Sequence, residues 1–288
     1  MPDRNFKPVM EKDDVSSSSA EFLQTLGSTE LYMPVATEVS PVRAESRVVV
    51  YNDPRSAGGD RFRLAQIRLK SIQAARKLKC LLITSPLPGD GKSTVALNLA
   101  SVLSENGRHP VLLLEADVFR PALVKTLDLK PWPGLTECYK RGSDPMLAIR
   151  RIDPLGFYLL PAGQPSEDGS SLLQSNFVSQ LIKGLASSSF SWILIDSPPT
   201  TPIADILVLR AHSDATLLVA RAGQTPREAI EESARNLGRD HVVGIILNGV
   251  EGLDRSYSKY YAYGKSKALV KPTKPKPIEG LGLNKIGR

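Results

Sequence analysis

The stretch Ser85-Pro86-Leu87-Pro88-Gly89-Asp90-Gly91-Lys92-Ser93-Thr94 constrains this chain more than any other. It follows an apolar run, Cys80 to Ile83, that reads as a buried parallel strand. It precedes Val95 to Leu103, whose apolar residues recur at helical spacing. A strand, a glycine-containing loop, a Lys-Ser pair and a helix form the layout that turns backbone N–H groups onto phosphate oxygens. The helix N-terminus adds a favourable dipole. In such a loop Lys92 reaches the β- and γ-phosphates and the Ser93 hydroxyl ligates Mg²⁺. Pro88, Gly89, Asp90, Gly91, Lys92, Ser93 and Thr94 are therefore candidate nucleotide-binding residues, for ATP or GTP with Mg²⁺. Pro86 stands where the usual pattern has glycine. A plain Pro/Gly turn that happens to carry a lysine is the bland alternative, and the order strand, loop, helix weighs against it.

The rest of the chain supplies a sheet for that loop. Strand-like runs fall at Cys80–Thr84, Val111–Glu115, Gly156–Leu160, Trp192–Asp196, Ala215–Ala220 and Val242–Leu247. Helical patterns lie near 93–106, 170–186, 202–210 and 226–237, and an amphipathic helix spans Asp60 to Leu78. Near-continuous apolar strands alternating with helices predict an α/β fold with a doubly wound, mostly parallel sheet covered on both faces. A β-prone run, Val48 to Tyr51, precedes the first helix. Residues 1–45, with their Ser16–Ser19 run, read as disordered. Residues 46–256 then form the nucleotide-binding domain, and residues 257–288 a tyrosine cluster with a basic flexible tail.

Charge and cysteines narrow the class. The net charge is +7, yet Lys265 to Arg288 holds seven basic residues and one acid, so nearly all the excess belongs to the tail. That distribution argues against a nucleic-acid surface and is compatible with attraction to an anionic membrane. Cys80 and Cys138 share no metal-ligand or CxxC spacing, so a reducing compartment is expected. No apolar run approaches the ~20 residues of a membrane span. The first residues lack a signal-peptide core. A soluble intracellular protein is expected.

In a parallel sheet, ligands bind at the carboxyl ends of the strands. Two strands end there in acids, Val111-Leu112-Leu113-Leu114-Glu115-Ala116-Asp117 and Trp192-Ile193-Leu194-Ile195-Asp196. Asp196 suits a Mg²⁺-bound water, while Glu115 and Asp117 are candidates for a base and a further metal contact. A single acid after a strand is ordinarily a cap or turn residue. Three acids at two tips beside a phosphate loop weaken that explanation. Ser93, Asp117 and Asp196 form the candidate metal set, with Lys92, Glu115, Asp117 and Asp196 as the candidate catalytic residues. Asn248, after the last strand, is either a contact to the nucleotide base or a strand-end turn.

With these residues in place, the chain resembles bacterial protein-tyrosine kinases, the P-loop autokinases of capsule and exopolysaccharide synthesis, in their separate cytoplasmic form. The motifs that carry the resemblance run in order: Ser85–Thr94, Glu115-Ala116-Asp117 with Arg120-Pro121, Pro161–Pro165, Ile195–Pro199 and Arg221–Thr225. A terminal Tyr257-Ser258-Lys259-Tyr260-Tyr261-Ala262-Tyr263 completes the set. Glu115 stands where the family usually has Asp, and Phe119 where Arg is common. An acid-x-x-Arg-x-x-Arg ring-assembly motif is present in part, as Asp60, Arg63 and then Gln66.

The resemblance implies ATP as the nucleotide and autophosphorylation at Tyr257, Tyr260, Tyr261 and Tyr263. It further implies a homo-oligomer, a membrane-embedded co-polymerase-type activator that recruits the protein to the inner face of the membrane, and a cognate tyrosine phosphatase. Two other functions compete. Partitioning-type positioning ATPases share the fold but carry an extra loop lysine, where this chain has Leu87. A nucleotide-gated adaptor without transfer chemistry would fit Glu115 and Phe119.

Overall fold

The computed structural model describes residues 35–201 and 204–251. Eight strands form a single sheet: β1 (Thr37–Val39), β2 (Cys80–Thr84), β3 (Val111–Glu115), β4 (Arg150–Asp153), β5 (Phe157–Leu160), β6 (Trp192–Asp196), β7 (Ala215–Arg221) and β8 (Val242–Asn248). Their order is β1-β4-β5-β3-β6-β2-β7-β8, and every pairing is parallel except the antiparallel β4–β5 pair. The expected doubly wound, mostly parallel α/β sheet is thus the one observed. Crossing from β2 to β3 passes over β6, which leaves a crevice at the carboxyl ends of these three strands.

Period-2 alternation fills both faces. Along β2, Leu81 and Ile83 join one apolar cluster while Cys80 and Leu82 join the other. The first cluster packs against α2 (Ala57–Arg76) and α3 (Lys92–Ser104), through Leu69, Val95, Leu99 and Leu103. The second packs against α7 (Asn176–Ser187), α8 (Ala204–Ala211) and α9 (Arg227–Leu237), through Leu181, Ile182, Leu209 and Leu237. Both faces of β2, β3 and β6 are buried, which is why their sequences are unbroken apolar runs. Burial pushes the Cys80 thiol up to about 12, with Asp214 adding to the effect, so this cysteine is a core residue without thiolate character.

Several elements differ from expectation. The sheet recruits β1, ahead of the anticipated boundary at residue 46, where Ser40 N–H also donates to Asp153 O at 2.8 Å. Neither β1 nor β4 has an apolar run. They are held at the sheet edge by an ion pair between Glu38 and Arg150, with the Arg150 guanidinium 4.7 Å from the Trp132 ring centre. The β-prone Val48–Tyr51 run is mostly helical, as α1 (Val49–Asn52). Its tertiary contacts override local propensity. The Asn98 side chain, fully buried on α3, accepts from Val50 N–H at 3.2 Å and donates to Arg47 O at 2.9 Å and Thr94 O at 2.8 Å.

The helix anticipated at 170–186 is broken into α6 (Gly169–Leu173) and α7, because Ser175 takes an extended conformation and caps the second. Short helices α4 (Leu123–Thr126) and α5 (Leu135–Arg141) carry too few turns for periodicity to show. No helix of the described residues is long and apolar enough to cross a membrane. The tyrosine cluster and the basic tail lie outside the described residues.

Replacing Asn98 by Ala would remove the side-chain partner of the half-buried Val50 N–H and of Arg47 O. The expected loss is about 1–3 kcal/mol of unfolding free energy, read as a lowered urea midpoint with unchanged slope.

Candidate nucleotide site

The phosphate loop joins β2 to α3. Gly89 and Gly91 adopt φ of 87° and 96°, the left-handed region that glycine alone enters freely. Gly91 caps α3, and a Cβ there would collide with the Asn248 amide. The loop is laced to the ends of β7 and β8. Asn248 Nδ2 donates to Asp90 O at 2.9 Å, and Arg221 donates to Gly89 O at 3.2 Å. The Asp90 carboxylate turns inward: Oδ2 accepts from Leu87 N–H at 2.9 Å and Oδ1 from the Thr225 hydroxyl at 2.7 Å. The Thr225 hydroxyl oxygen accepts in turn from Arg221 N–H at 2.7 Å.

Pro88 and Gly89 are therefore the exposed outer turn, while Asp90 and Asn248 serve the loop's shape with their side chains. The Asn248 amide faces the loop backbone, which favours the structural alternative over a base contact. Ser93 and Thr94, half-buried, open the first turn of α3.

Beside the loop the sheet register sets Glu115 of β3 opposite Asp196 of β6. Lys92 Nζ donates to Asp117 Oδ2 at 2.7 Å, with both side chains largely buried. Burial pulls the Lys92 ammonium down, but Asp196, Asp117 and Glu115 together outweigh it and hold its pKa above the ordinary value. Asp117 Oδ1 accepts from Arg120 N–H at 3.1 Å.

Asp196 is 1% exposed, and neither carboxylate oxygen has a well-formed hydrogen bond among the described residues, the Ser93 hydroxyl lying beside it without good geometry. Burial pushes it up to about 7; the Lys92 charge and the adjacent Ser93 hydroxyl pull it down without matching that cost. A buried acceptor pair left open in this way needs a cation or ordered water to satisfy it. The donor set of Ser93, Asp117 and Asp196 is all oxygen, which suits Mg²⁺.

Glu115 differs from the expectation of a free base. Its Oε1 accepts from Ala122 N–H at 2.6 Å and Leu123 N–H at 2.7 Å, and its Oε2 from Ala162 N–H at 3.1 Å. Burial raises its pKa, and these three amides oppose the rise. The site thus brings Lys92, Asp117, Asp196 and Ser93 together and engages both Glu115 oxygens with backbone amides.

The Arg221–Thr225 stretch is recognisable in the sequence as a motif, but its lacing to Gly89 and Asp90 depends on partners over 130 residues away. Phe119 is partly exposed, and its ring lies against Gly169, where any Cβ would meet it at 2.6 Å. On α2, Asp60 pairs with Arg63. Gln66 donates to Val102 O at 2.7 Å and Glu105 at 3.0 Å, spending the motif's third position on intrachain packing.

Residues 77–249 match the ParA family model, described as a NUBPL iron-transfer P-loop NTPase. Among curated proteins, the chain is 28% identical over 224 residues to tyrosine-protein kinase YwqD of Bacillus subtilis, covering 77% of this chain and 92% of that protein. It is 28% identical over 202 residues to tyrosine-protein kinase CpsD of Streptococcus agalactiae, covering 69% and 87%. The succinoglycan biosynthesis transport protein ExoP of Rhizobium meliloti is 28% identical over 254 residues, covering 82% of this chain, which spans only 32% of ExoP.

The solved VpsO kinase domain aligns with a TM-score of 0.59 at 26% identity, over 70% of this chain and all of that one. The kinase domain of Escherichia coli tyrosine kinase ETK, at 24% identity and TM-score 0.66, covers 80% of this chain and 87% of its own and shares the fold. The resemblance read from the motifs is borne out by these relatives, and the positioning-ATPase alternative is the weaker reading.

The raised Asp196 pKa has a thermodynamic consequence with a definite sign. The unfolded carboxyl titrates near about 4. Because the folded value is higher, the stability contributed by its proton is present below about pH 4 and lost as pH rises through about 7. In chelator-treated protein, melting temperature should therefore fall between about pH 4 and about pH 7. Asp196→Asn should flatten that slope and raise stability at the alkaline end by about 1–3 kcal/mol, while abolishing stabilisation by Mg²⁺. Differential scanning calorimetry across pH, with and without Mg²⁺, checks both effects.

Proposed function

Because this chain belongs to the ParA family of P-loop NTPases, we propose that it is an ATP-dependent protein-tyrosine autokinase acting in exopolysaccharide or capsule production, as the names of its relatives suggest. The observation that carries this reading is the buried Asp196 carboxylate, without a well-formed hydrogen bond, at a strand tip beside Ser93, Lys92 and the phosphate loop. A Mg²⁺ ion held by Ser93, Asp117 and Asp196 would neutralise charge on the terminal phosphates.

The chain's own residues supply position. The laced loop fixes the backbone around the phosphates, and Lys92 leaves Asp117 to meet the incoming triphosphate. The ion pair at 2.7 Å is then a resting contact that nucleotide exchanges for a stronger one. Release of Asp117 at the same moment would free its carboxylate for the Mg²⁺ ion. Phosphoryl transfer demands little covalent help, so alignment and charge are what this arrangement contributes.

The acceptors in this reading are Tyr257, Tyr260, Tyr261 and Tyr263, offered between subunits of a homo-oligomer. Each phosphate would add about −1.5 to −2 charges and alter docking of the tail. This chain corresponds to a third of ExoP, so a membrane-embedded co-polymerase-type protein is a fitting activator and would bring the kinase to the inner face of the membrane. A tyrosine phosphatase would reset the state.

Purified protein with ATP and Mg²⁺, with and without such an activator segment, should acquire phosphotyrosine on these four residues by mass spectrometry. Their joint replacement by Phe should remove most of it and leave ATP binding intact. Lys92→Ala should weaken Mg-ATP binding about 10-fold to 100-fold by calorimetry without unfolding the sheet. Absence of phosphate on all four tyrosines with the activator present would turn the reading to a nucleotide-gated adaptor.

A further inference from the structure

We propose that Glu115 is a positioning residue, a clasp that closes the loop carrying Asp117 and Arg120, and not the group that receives a proton from the acceptor. The inference rests on the nucleotide-site reading above and assigns within it a role that the strand-tip pattern does not suggest.

The geometry is that of a closed ring. Oε1 of Glu115 accepts from the N–H groups of Ala122 and Leu123, at 2.6 and 2.7 Å, so the loop that leaves β3 at Glu115 returns to the same side chain. Asp117 and Arg120 lie inside that ring, joined by the 3.1 Å bond from Arg120 N–H to Asp117 Oδ1. The other oxygen, Oε2, reaches across to Ala162 N–H on the loop after β5, at 3.1 Å. The far side of the ring is anchored independently: Leu123 and Leu127 are buried, and the Ser40 hydroxyl donates to Leu127 O at 2.7 Å.

Asp117 therefore meets Lys92 from a loop whose two ends are fixed by one carboxylate. Glu115 itself is 1% exposed, with its oxygens turned to backbone amides that a charged acceptor binds strongly. A base must touch the proton it takes. Length matters here too, since Asp at this position would lose one methylene of the reach that spans the ring.

The test compares Glu115→Gln with Glu115→Asp, reading Mg-ATP affinity, kcat and KM for tyrosine phosphorylation across pH, and amide exchange at Ala122, Leu123 and Ala162 by NMR. Gln keeps a carbonyl for Ala122 and Leu123. Its kcat should stay within about tenfold of the parent with an unaltered pH profile, while Ala162 alone loses protection. Asp, although still an acid, should lose more activity, expose all three amides to faster exchange and weaken Mg-ATP binding.

The opposite pattern overturns the clasp: Gln losing about 10²–10⁴-fold in kcat along with a limb of the pH profile, while Asp stays active. If the parent transfers no phosphate, the kinase reading fails on its own. Exchange and Mg-ATP affinity still decide the clasp, because unchanged values in Glu115→Asp would refute it. Should Glu115→Asp fail to fold, amide exchange and pH dependence of Glu115→Gln give the same decision.

Discussion

Carboxylate crowding beneath the phosphate loop governs the rest of this molecule. Parallel pairing of β3 with β6 puts Glu115 against Asp196, and Asp117 follows two residues beyond the end of β3. One ammonium, Lys92, stands among three acids that are nearly or wholly inaccessible to water. Each acid meets its desolvation cost differently. Glu115 takes three backbone amides, Asp117 takes the lysine, and Asp196 has no well-formed hydrogen bond from the described residues. A site built this way is electrostatically unfinished, and its deficit has the sign of a cation.

The lacing of the loop answers the complementary difficulty. A backbone rich in outward-facing N–H groups is of little use if it fluctuates, because ordering it on binding would cost affinity. Thr225, Arg221 and Asn248 hold it from the side of β7 and β8, through Gly89 and Asp90 of the loop, opposite the acids. Strand order makes this feasible: β2 lies between β6 and β7, so the loop at its tip can be gripped from one flank and charged from the other.

Much of this was legible in the sequence, for identifiable reasons. Strands β2, β3 and β6 are buried on both faces, and an unbroken run such as Val111–Leu114 has few other readings. The phosphate loop and the strand-tip acids were legible because their chemistry is local to a few consecutive residues. What escaped depends on distant partners. Strand β1 is three residues long and owes its place to Arg150 and Asp153, far along the chain. The Val48–Tyr51 run looks like a strand until Asn98 is there to bind it. Glu115 looks like any acid at a strand tip, and only folding discloses that three amides converge on it.

The Asn98 side chain also joins two separate parts of the chain. It sits on the helix that begins at the phosphate loop and holds the backbone at Arg47 and Val50 as well as Thr94 of its own first turn. One side chain therefore ties the segment before the second helix to the helix turn that follows the phosphate loop, so the two are built on a common support.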